Sequence, residues 1–452
     1  MIGLFQHQQT ALDQTEGFKR CAYYLDMGLG KTFVGSEKAL KLNSRVNLLV
    51  CQCSKVPDWI DHMTENYAMN HRWMIYNLTD KKEFQWFMAA VQETDNPTRI
   101  CGIINYELTF RRKILKTLTG FTMMLDESSL IQNETAQRSK FVLGLHPENV
   151  ILLSGTPTGG KYEKLWSQCR LLGWNISKEL FWKQYIQTEW VEDDGFWRQR
   201  ITGYKNVDRL KDKLAQHGAV FMTTEEAGIS LPERTFVHVK TSVPKEYWKF
   251  WQKRVISIDT TNLSEFELDS DFWGSNASGE RELIGDTSLT RRLYARQLCG
   301  LYNRARYDAF RDLVNSTDDR LIVFYNFTEE MERMRAIAKG LNRPVSIQSG
   351  EVKDLSAYNY KSDSITFIQY QAGAMGGNFQ KANKIIYFSI PDGSELWEQS
   401  QKRIHRMGQD RPCFYYILIC PGTVEDDILS NLQMRKDYTD ELFRKYEKNQ
   451  SL

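Results

Sequence analysis

Short, nearly unbroken runs of apolar residues recur along the chain, each giving way to a polar turn or a helical pattern. The first set is Cys21–Leu25, Leu48–Cys53, Ile100–Ile104, Thr122–Leu125 and Val150–Leu153. A second set is Leu321–Tyr325, Ile365–Gln369, Lys384–Phe388 and Phe414–Ile419. Such runs, alternating with helical stretches, mark strands buried on both faces of a parallel sheet. Two clusters of them predict an α/β protein with two parallel-sheet lobes, at 1–160 and 313–452.

The middle of the chain is patterned differently. Lys161–Gln216 carries aromatic-rich helical patterns (LWSQCRLLGW, FWKQYIQTEW), so 161–235 is expected to be a helical insertion with a linker. Leu231–Val243 alternates like a strand and opens on Leu-Pro, which suits a connection between lobes. Pro244–Val255 returns to the helical style and predicts a second insertion over 236–312. Within it, Leu263–Asp286 holds seven acids against one arginine and reads as a mobile acidic loop.

The 452 residues are enough for two or three domains, each with its own core. A net charge of +2 is close to neutral, so any nucleic-acid contact must come from a local basic lining. None of the eight cysteines falls in a CxxC pair. They read as reduced core residues of a cytosolic-type compartment, with zinc as the minor alternative. The N-terminus lacks a charged region followed by an apolar run, and no stretch approaches the ~18 apolar residues of a membrane span. A cytoplasmic protein is therefore expected.

Three strand ends carry candidate chemistry. Leu25 closes one strand, and Gly28-Leu29-Gly30-Lys31-Thr32 opens a helix. Glycines there let backbone N–H groups close around phosphate oxygens at the positive end of the helix. Lys31 would supply charge to the β- and γ-phosphates, and the Thr32 hydroxyl would bind magnesium. The strict phosphate-loop pattern has a glycine where this chain has Leu25, so the match is to a relaxed form. Thr122–Glu127 (TMMLDE) ends on two carboxylates, at the edge where open α/β sheets meet their ligands. Asp126 would hold magnesium through water, and Glu127 would orient and deprotonate the attacking water. Val150–Pro157 (VILLSGTP) ends on small hydroxyl residues able to hydrogen-bond that acidic pair. Far downstream, Gln399–Gln409 (QSQKRIHRMGQ) places Arg403 and Arg406 three apart on what should be one helical face, with Gln399 a turn earlier. Arginines arriving from a second lobe can neutralise charge on a γ-phosphate.

In this order, DMGLGKT, the LDE strand end, LLSGTP and QxxxRxHRMGQ resemble helicase superfamily two, and within it the Swi/Snf-type ATP-dependent DNA translocases. Further segments are similar along the whole length. His7-Gln8 resembles an adenine-reading glutamine motif, and Ser54–Trp59 a first DNA-contact motif. Asn105-Tyr106-Glu107, Arg296–Cys299, Leu321–Thr328, Ala372–Phe379 and Gly422–Ile428 each resemble a family segment. The resemblance implies two RecA-like lobes with ATP and Mg2+ held between them, and Gln8, Gly28, Leu29, Gly30, Lys31 and Thr32 around the nucleotide. It implies double-stranded DNA gripped by its backbone as the partner. Ser54, Lys55, Asn105, Tyr106, Asn326, Thr328, Ser349, Gly350, Gly373 and Ala374 are the candidate phosphate contacts, residue types that suit backbone recognition. A monomer is favoured, and a protein displaced from DNA is a further partner to expect.

Three departures mark a divergent member. Asp126-Glu127-Ser128-Ser129 lacks the histidine of the family's Asp-Glu-Ala-His type sequence. Leu4-Phe5-Gln6-His7-Gln8 departs from the usual opening, and Thr223-Thr224 replaces a double arginine. Arg291–Arg311 holds six arginines against one acid, Asp308, with tyrosines between. That stretch reads as a packed, half-solvated helix or as a DNA-contacting one. Two competing functions remain open: a strand-separating helicase on RNA or DNA, and an ATP-switched nucleic-acid-binding protein.

Overall fold

The computed structural model describes residues 3–68, 73–93, 95–193, 196–259, 280–370 and 377–443. The chain divides into two compact units, 1–230 with 435–452, and 231–434.

The first unit is built on a seven-stranded parallel sheet. Its strands are β1 (Arg20–Leu25), β2 (Val46–Cys51), β3 (Trp73–Asn77), β4 (Arg99–Asn105), β5 (Thr122–Asp126), β6 (Asn149–Ser154) and β9 (Ala219–Met222), in spatial order β3-β4-β2-β5-β6-β1-β9. Every neighbouring pair is parallel. The period of two divides the core: Ala22, Tyr24, Leu48 and Val50 pack on one face, and Cys21, Tyr23, Leu49 and Cys51 on the other. That double burial explains why the strands read as continuous apolar runs rather than alternating ones.

The stretch expected to be helical holds an antiparallel hairpin, β7 (Ile186–Asp193) with β8 (Phe196–Tyr204). The aromatic residues that mimicked a helical face sit on a two-residue repeat: Trp190 opposes Gln199, and Trp197 opposes Glu192. Both tryptophans are 65% exposed. After a helix at Val207–Gln216 the chain returns to the sheet as β9, so 161–222 completes the first unit.

The second unit has its own sheet, ordered β10-β18-β17-β13-β16-β14-β15. The strands are β10 (Arg234–Lys240), β13 (Leu321–Tyr325), β14 (Val345–Gln348), β15 (Lys353–Asp354), β16 (Ile365–Gln369), β17 (Lys384–Tyr387) and β18 (Cys413–Ile419). Only β14–β15 is antiparallel. The expected linker is in fact an edge strand, β10, paired in parallel with β18 over seven residues from Arg234–Cys413 to Lys240–Ile419. An exposed edge explains its alternating pattern. A small antiparallel pair, β11 (Val255–Asp259) with β12 (Glu280–Ile284), lies before a helix at Ser288–Cys299. Most of the acidic stretch 263–286 lies outside the described residues.

The helix Val424–Phe443 starts in the second unit, but from Arg435 its residues group with the first rather than with the expected 313–452 lobe. Tyr438 packs edge-on against Tyr162 and Tyr204 there, and Arg435 Nη1 donates to Gly160 O at 3.1 Å.

Candidate functional site

The order β5-β6-β1 sets three chemically distinct strand ends side by side: Asp126 and Glu127, then Ser154, then the loop 26–30. Register confirms their level, with Asp126 beside Leu153 and Tyr24 beside Ser154.

The loop enters the helix Lys31–Leu42 through two left-handed glycines, Gly28 at φ 91° and Gly30 at φ 73°. Only glycine takes these angles without strain, and a Cβ on Gly30 would collide with Gln8 Nε2. Gln8 and His7 brace the loop from the helix Gln6–Gln14: Gln8 Nε2 donates to Leu29 O at 3.2 Å, and His7 Nε2 lies 3.0 Å from the same carbonyl. The other end of the Gln8 amide accepts from Phe5 N at 3.0 Å. Lys31 Nζ donates to Leu25 O at 2.9 Å and Asp26 O at 3.2 Å, so the ammonium lies over the loop. Asp26 is in turn held by Thr224, whose hydroxyl donates to Oδ2 at 3.0 Å. The departure at Thr223-Thr224 thus has a role in positioning the phosphate-type loop.

Asp126 and Glu127 point to different partners. Trp59 Nε1 donates to Asp126 Oδ2 at 2.8 Å. Burial pushes the Asp126 carboxyl above its usual range, and the indole bond and the charges of Lys31 and Lys55 oppose that. Glu127 sits at φ 51°, a region few non-glycine residues occupy, and its Oε2 accepts from Ser154 Oγ at 3.2 Å. Thr156 N donates to Ser154 Oγ at 3.1 Å, so the loop after β6 is tied to the acidic pair, as its residue types suggested.

The expected DNA-contacting residues separate into exposed and spent groups. Ser54 and Thr328 are exposed, and Lys55 pairs with Asp58 at 2.7 Å. Tyr106 is fully buried and its hydroxyl donates to Asp126 O at 2.9 Å, so its side chain braces the acidic strand end instead of facing solvent. Asn105 is buried and donates to Glu107, while Asn326 donates to Ser389 Oγ and Ile390 O. Ser349 Oγ accepts from the backbone N–H groups of Glu351 and Val352, beside exposed Gly350. Gly373 and Ala374 lie outside the described residues.

In the second unit, Gln399 lies on the helix Ser394–Gln401, but Arg403 and Arg406 follow it in a turn rather than sharing a helical face. The helix stops at Lys402, and Ile404 turns fully into the core. Arg403 Nη1 donates to Gly377 O at 3.1 Å, and Arg406 donates to Asn378 Oδ1. Gln399 is 1% exposed, and neither of its amide atoms has a hydrogen-bond partner among the described residues. In the arginine-rich stretch, Arg306 is fully buried in a two-pronged pair with Glu425, at 2.8 and 2.5 Å. Arg292 and Arg296 pair with Asp392, so much of that stretch is structural.

Sequence reasoning missed Gln168. It is fully buried and hydrogen-bonded to Ser128, Tyr24 and Pro157, yet it lies outside every recognisable motif.

The model of the SNF2-related domain matches residues 21–300. A Bacillus subtilis protein named an uncharacterized ATP-dependent helicase, YqhH, is 22% identical over 454 residues, covering 90% of this chain and 73% of its own length. A second Bacillus subtilis protein, the putative ATP-dependent helicase/translocase YwqA, is also 22% identical over 93% of this chain, which spans only 46% of that relative. A solved Sulfolobus solfataricus SWI2/SNF2 ATPase core in complex with dsDNA is 19% identical, at a TM-score of 0.42 over 97% of this chain and 92% of that one. The family match takes in the phosphate-type loop, the acidic pair and the Ser154 loop and covers more than half of the residues, so the chain belongs to the SNF2-related domain family.

Proposed function

We propose that the chain is a DNA-dependent ATPase that translocates on double-stranded DNA and remodels protein–DNA or DNA structures without obligatory strand separation. The observation that carries this is the side-by-side array of a glycine loop with Lys31, a hydroxyl loop and the Asp126-Glu127 pair at the ends of β1, β6 and β5. In this reading Lys31 leaves its loop carbonyls for the β- and γ-phosphates, and Glu127 orients the attacking water and takes its proton. Ser154, bonded to Glu127, registers the change in that carboxylate. In the same reading Arg403 and Arg406 neutralise charge on the γ-phosphate.

The residues present also fit a magnesium ion. The Thr32 hydroxyl and Asp126 are hard oxygen donors, and a carboxyl that burial holds above its usual range gains from a nearby cation. Such an ion would neutralise charge on the phosphates. Exposed Ser54 and Thr328, with Lys55 and Gly350, support backbone-dominated contact with a duplex, and hence steep salt dependence and little sequence preference. All eight cysteines are free and seven are buried, which supports a reducing, cytoplasmic setting.

One observation favours the strand-separating alternative: the β7–β8 hairpin carries two exposed tryptophans on one face, a surface on which unpaired bases can stack. Two assays decide. Phosphate release is measured with duplex DNA, single-stranded DNA and RNA in parallel. Displacement of a triplex third strand is compared with unwinding of a tailed duplex. Duplex-stimulated release with triplex displacement and no unwinding supports the translocase. Unwinding of the tailed duplex would replace it by the helicase, and no stimulated release would leave an ATP-switched binding protein.

A further inference from the structure

Gln168 lies in the helix Trp166–Leu171, between Ser167 and Cys169, which are also buried. Its Nε2 donates to Pro157 O at 2.8 Å. A carbonyl can only accept, so the amide nitrogen must face it, and the amide oxygen must face the two hydroxyls. Both therefore donate to Gln168 Oε1: Ser128 Oγ at 2.8 Å and Tyr24 OH at 2.8 Å. Burial holds the Tyr24 phenol far above its ordinary range, which keeps that donor protonated. One buried amide thus joins the last turn of β1, the residue after Glu127 and the loop after β6.

A second link closes a ring. Ser154 Oγ donates to Glu127 Oε2 at 3.2 Å, and Ser154 ends β6 while Pro157 lies three residues on, in the loop that follows. Glu127 is therefore connected to 154–157 twice, directly through Ser154 and indirectly through Ser128, Gln168 and Pro157. The direct link depends on the charge and position of a carboxylate that must change during turnover. The indirect link is neutral, buried and anchored on a helix. Glu127 also needs bracing, because φ 51° is costly for a residue with a Cβ. Tyr106 OH holds the backbone from one side, at 2.9 Å from Asp126 O, and the Ser128–Gln168 bond holds it from the other.

We propose that Gln168 is a positioning residue of the nucleotide site. It locks the Asp126-Glu127 turn to the 154–157 loop, so the two respond to nucleotide as one body. The inference rests on the nucleotide reading of the site given above.

The test uses the full chain and three variants: Gln168→Leu, Ser128→Ala and Tyr24→Phe. Readouts are kcat and KM for ATP with duplex DNA, melting temperature, and hydrogen exchange of the amides at 154–156 with and without a non-hydrolysable ATP analogue and Mg2+. Gln168→Leu and Ser128→Ala are expected to lower kcat about tenfold or more, with KM for ATP changed by less than about threefold, the scale set by one lost buried hydrogen bond. Both should also abolish the exchange protection that the analogue induces at 154–156. Tyr24→Phe removes a bond to the same oxygen but leaves the Ser128–Gln168–Pro157 path, so it should lower the melting temperature while keeping kcat and the protection. If Gln168→Leu misfolds, Ser128→Ala carries the test. Wild-type turnover and protection in Ser128→Ala, or equal losses in Tyr24→Phe, would overturn the proposal, since the bonds would then serve packing alone. A wild type that binds the analogue but releases no phosphate would sink the ATPase reading instead, and the exchange arm would still decide the role of Gln168.

Discussion

Each unit is built on its own seven-stranded, largely parallel sheet, yet the two hold their chemistry in different ways. In the first unit, Asp126, Glu127 and Ser154 at strand ends and Lys31 at a helix start are bonded to one another's segments or braced by Trp59, Tyr106, Thr224 and Gln168. In the second, Arg403 and Arg406 leave the end of a helix and bond groups of one short segment, Gly377 and Asn378, while the Gln399 amide makes no bond among the described residues. A site that must be complete before its ligand arrives needs preorganised groups. The second unit is also tied together deep in its core, by Arg306 and Glu425, rather than at its candidate site.

That contrast can be broken at several points. The largest expected effect is from Arg406→Ala or Arg403→Ala, each lowering kcat by roughly 10³-fold or more if these guanidinium groups meet the γ-phosphate. Steady-state phosphate release with duplex DNA measures it, and a loss below tenfold would remove the arginines from the catalytic set. Glu127→Gln should follow at about 10²–10⁴-fold in kcat, with ATP binding by calorimetry retained. Near-normal turnover would refute the role of that carboxylate. For stability, Glu425→Gln strands the buried Arg306 charge and should cost about 3–5 kcal/mol in denaturant unfolding. Gln399→Leu should leave the melting temperature unchanged or raised while still lowering kcat, because no bond of that amide is lost on substitution. A sharp drop in melting temperature would show that Gln399 is a packing residue.

A further prediction concerns pH. His62, beside Ser36 and the rings of Phe33, Trp59 and Tyr67, has its pKa lowered by burial from 6.5 to about 4. In that window the unfolded chain binds a proton that the folded one refuses. Stability of the first unit is therefore full above about pH 6.5 and falls as pH drops toward 4. His62→Gln should flatten that part of the stability–pH curve, measured by urea midpoints between pH 4 and 7, and an unchanged slope would contradict the assignment.

The strands were legible because burial on both faces writes an unambiguous pattern. Leu321–Tyr325 and Ile365–Gln369 match the structure residue for residue, and β1, β2, β4, β5, β6, β17 and β18 agree within two residues at each end. Exposed or half-exposed elements were not legible. The β7–β8 hairpin was hidden by tryptophans whose spacing suits a helix as well as a strand, and edge strand β10 looked like a connection. The arginine segment was recognised, but its backbone was not: the core demands Ile404, which ends the helix before Arg403.

What the sequence determined by itself was the inventory of chemistry. A glycine loop, a carboxylate pair and a hydroxyl turn each follow an apolar strand, and these local patterns need only a few residues to be read. What only the tertiary structure decided was which distant side chains hold that inventory in place. Gln168 lies 40 residues from Ser128 and 144 from Tyr24, and Thr224 lies 198 from Asp26. A buried hydrogen bond is a requirement on two positions at once, fixed by strand order and helix packing, and neither position alone carries its mark in the chain.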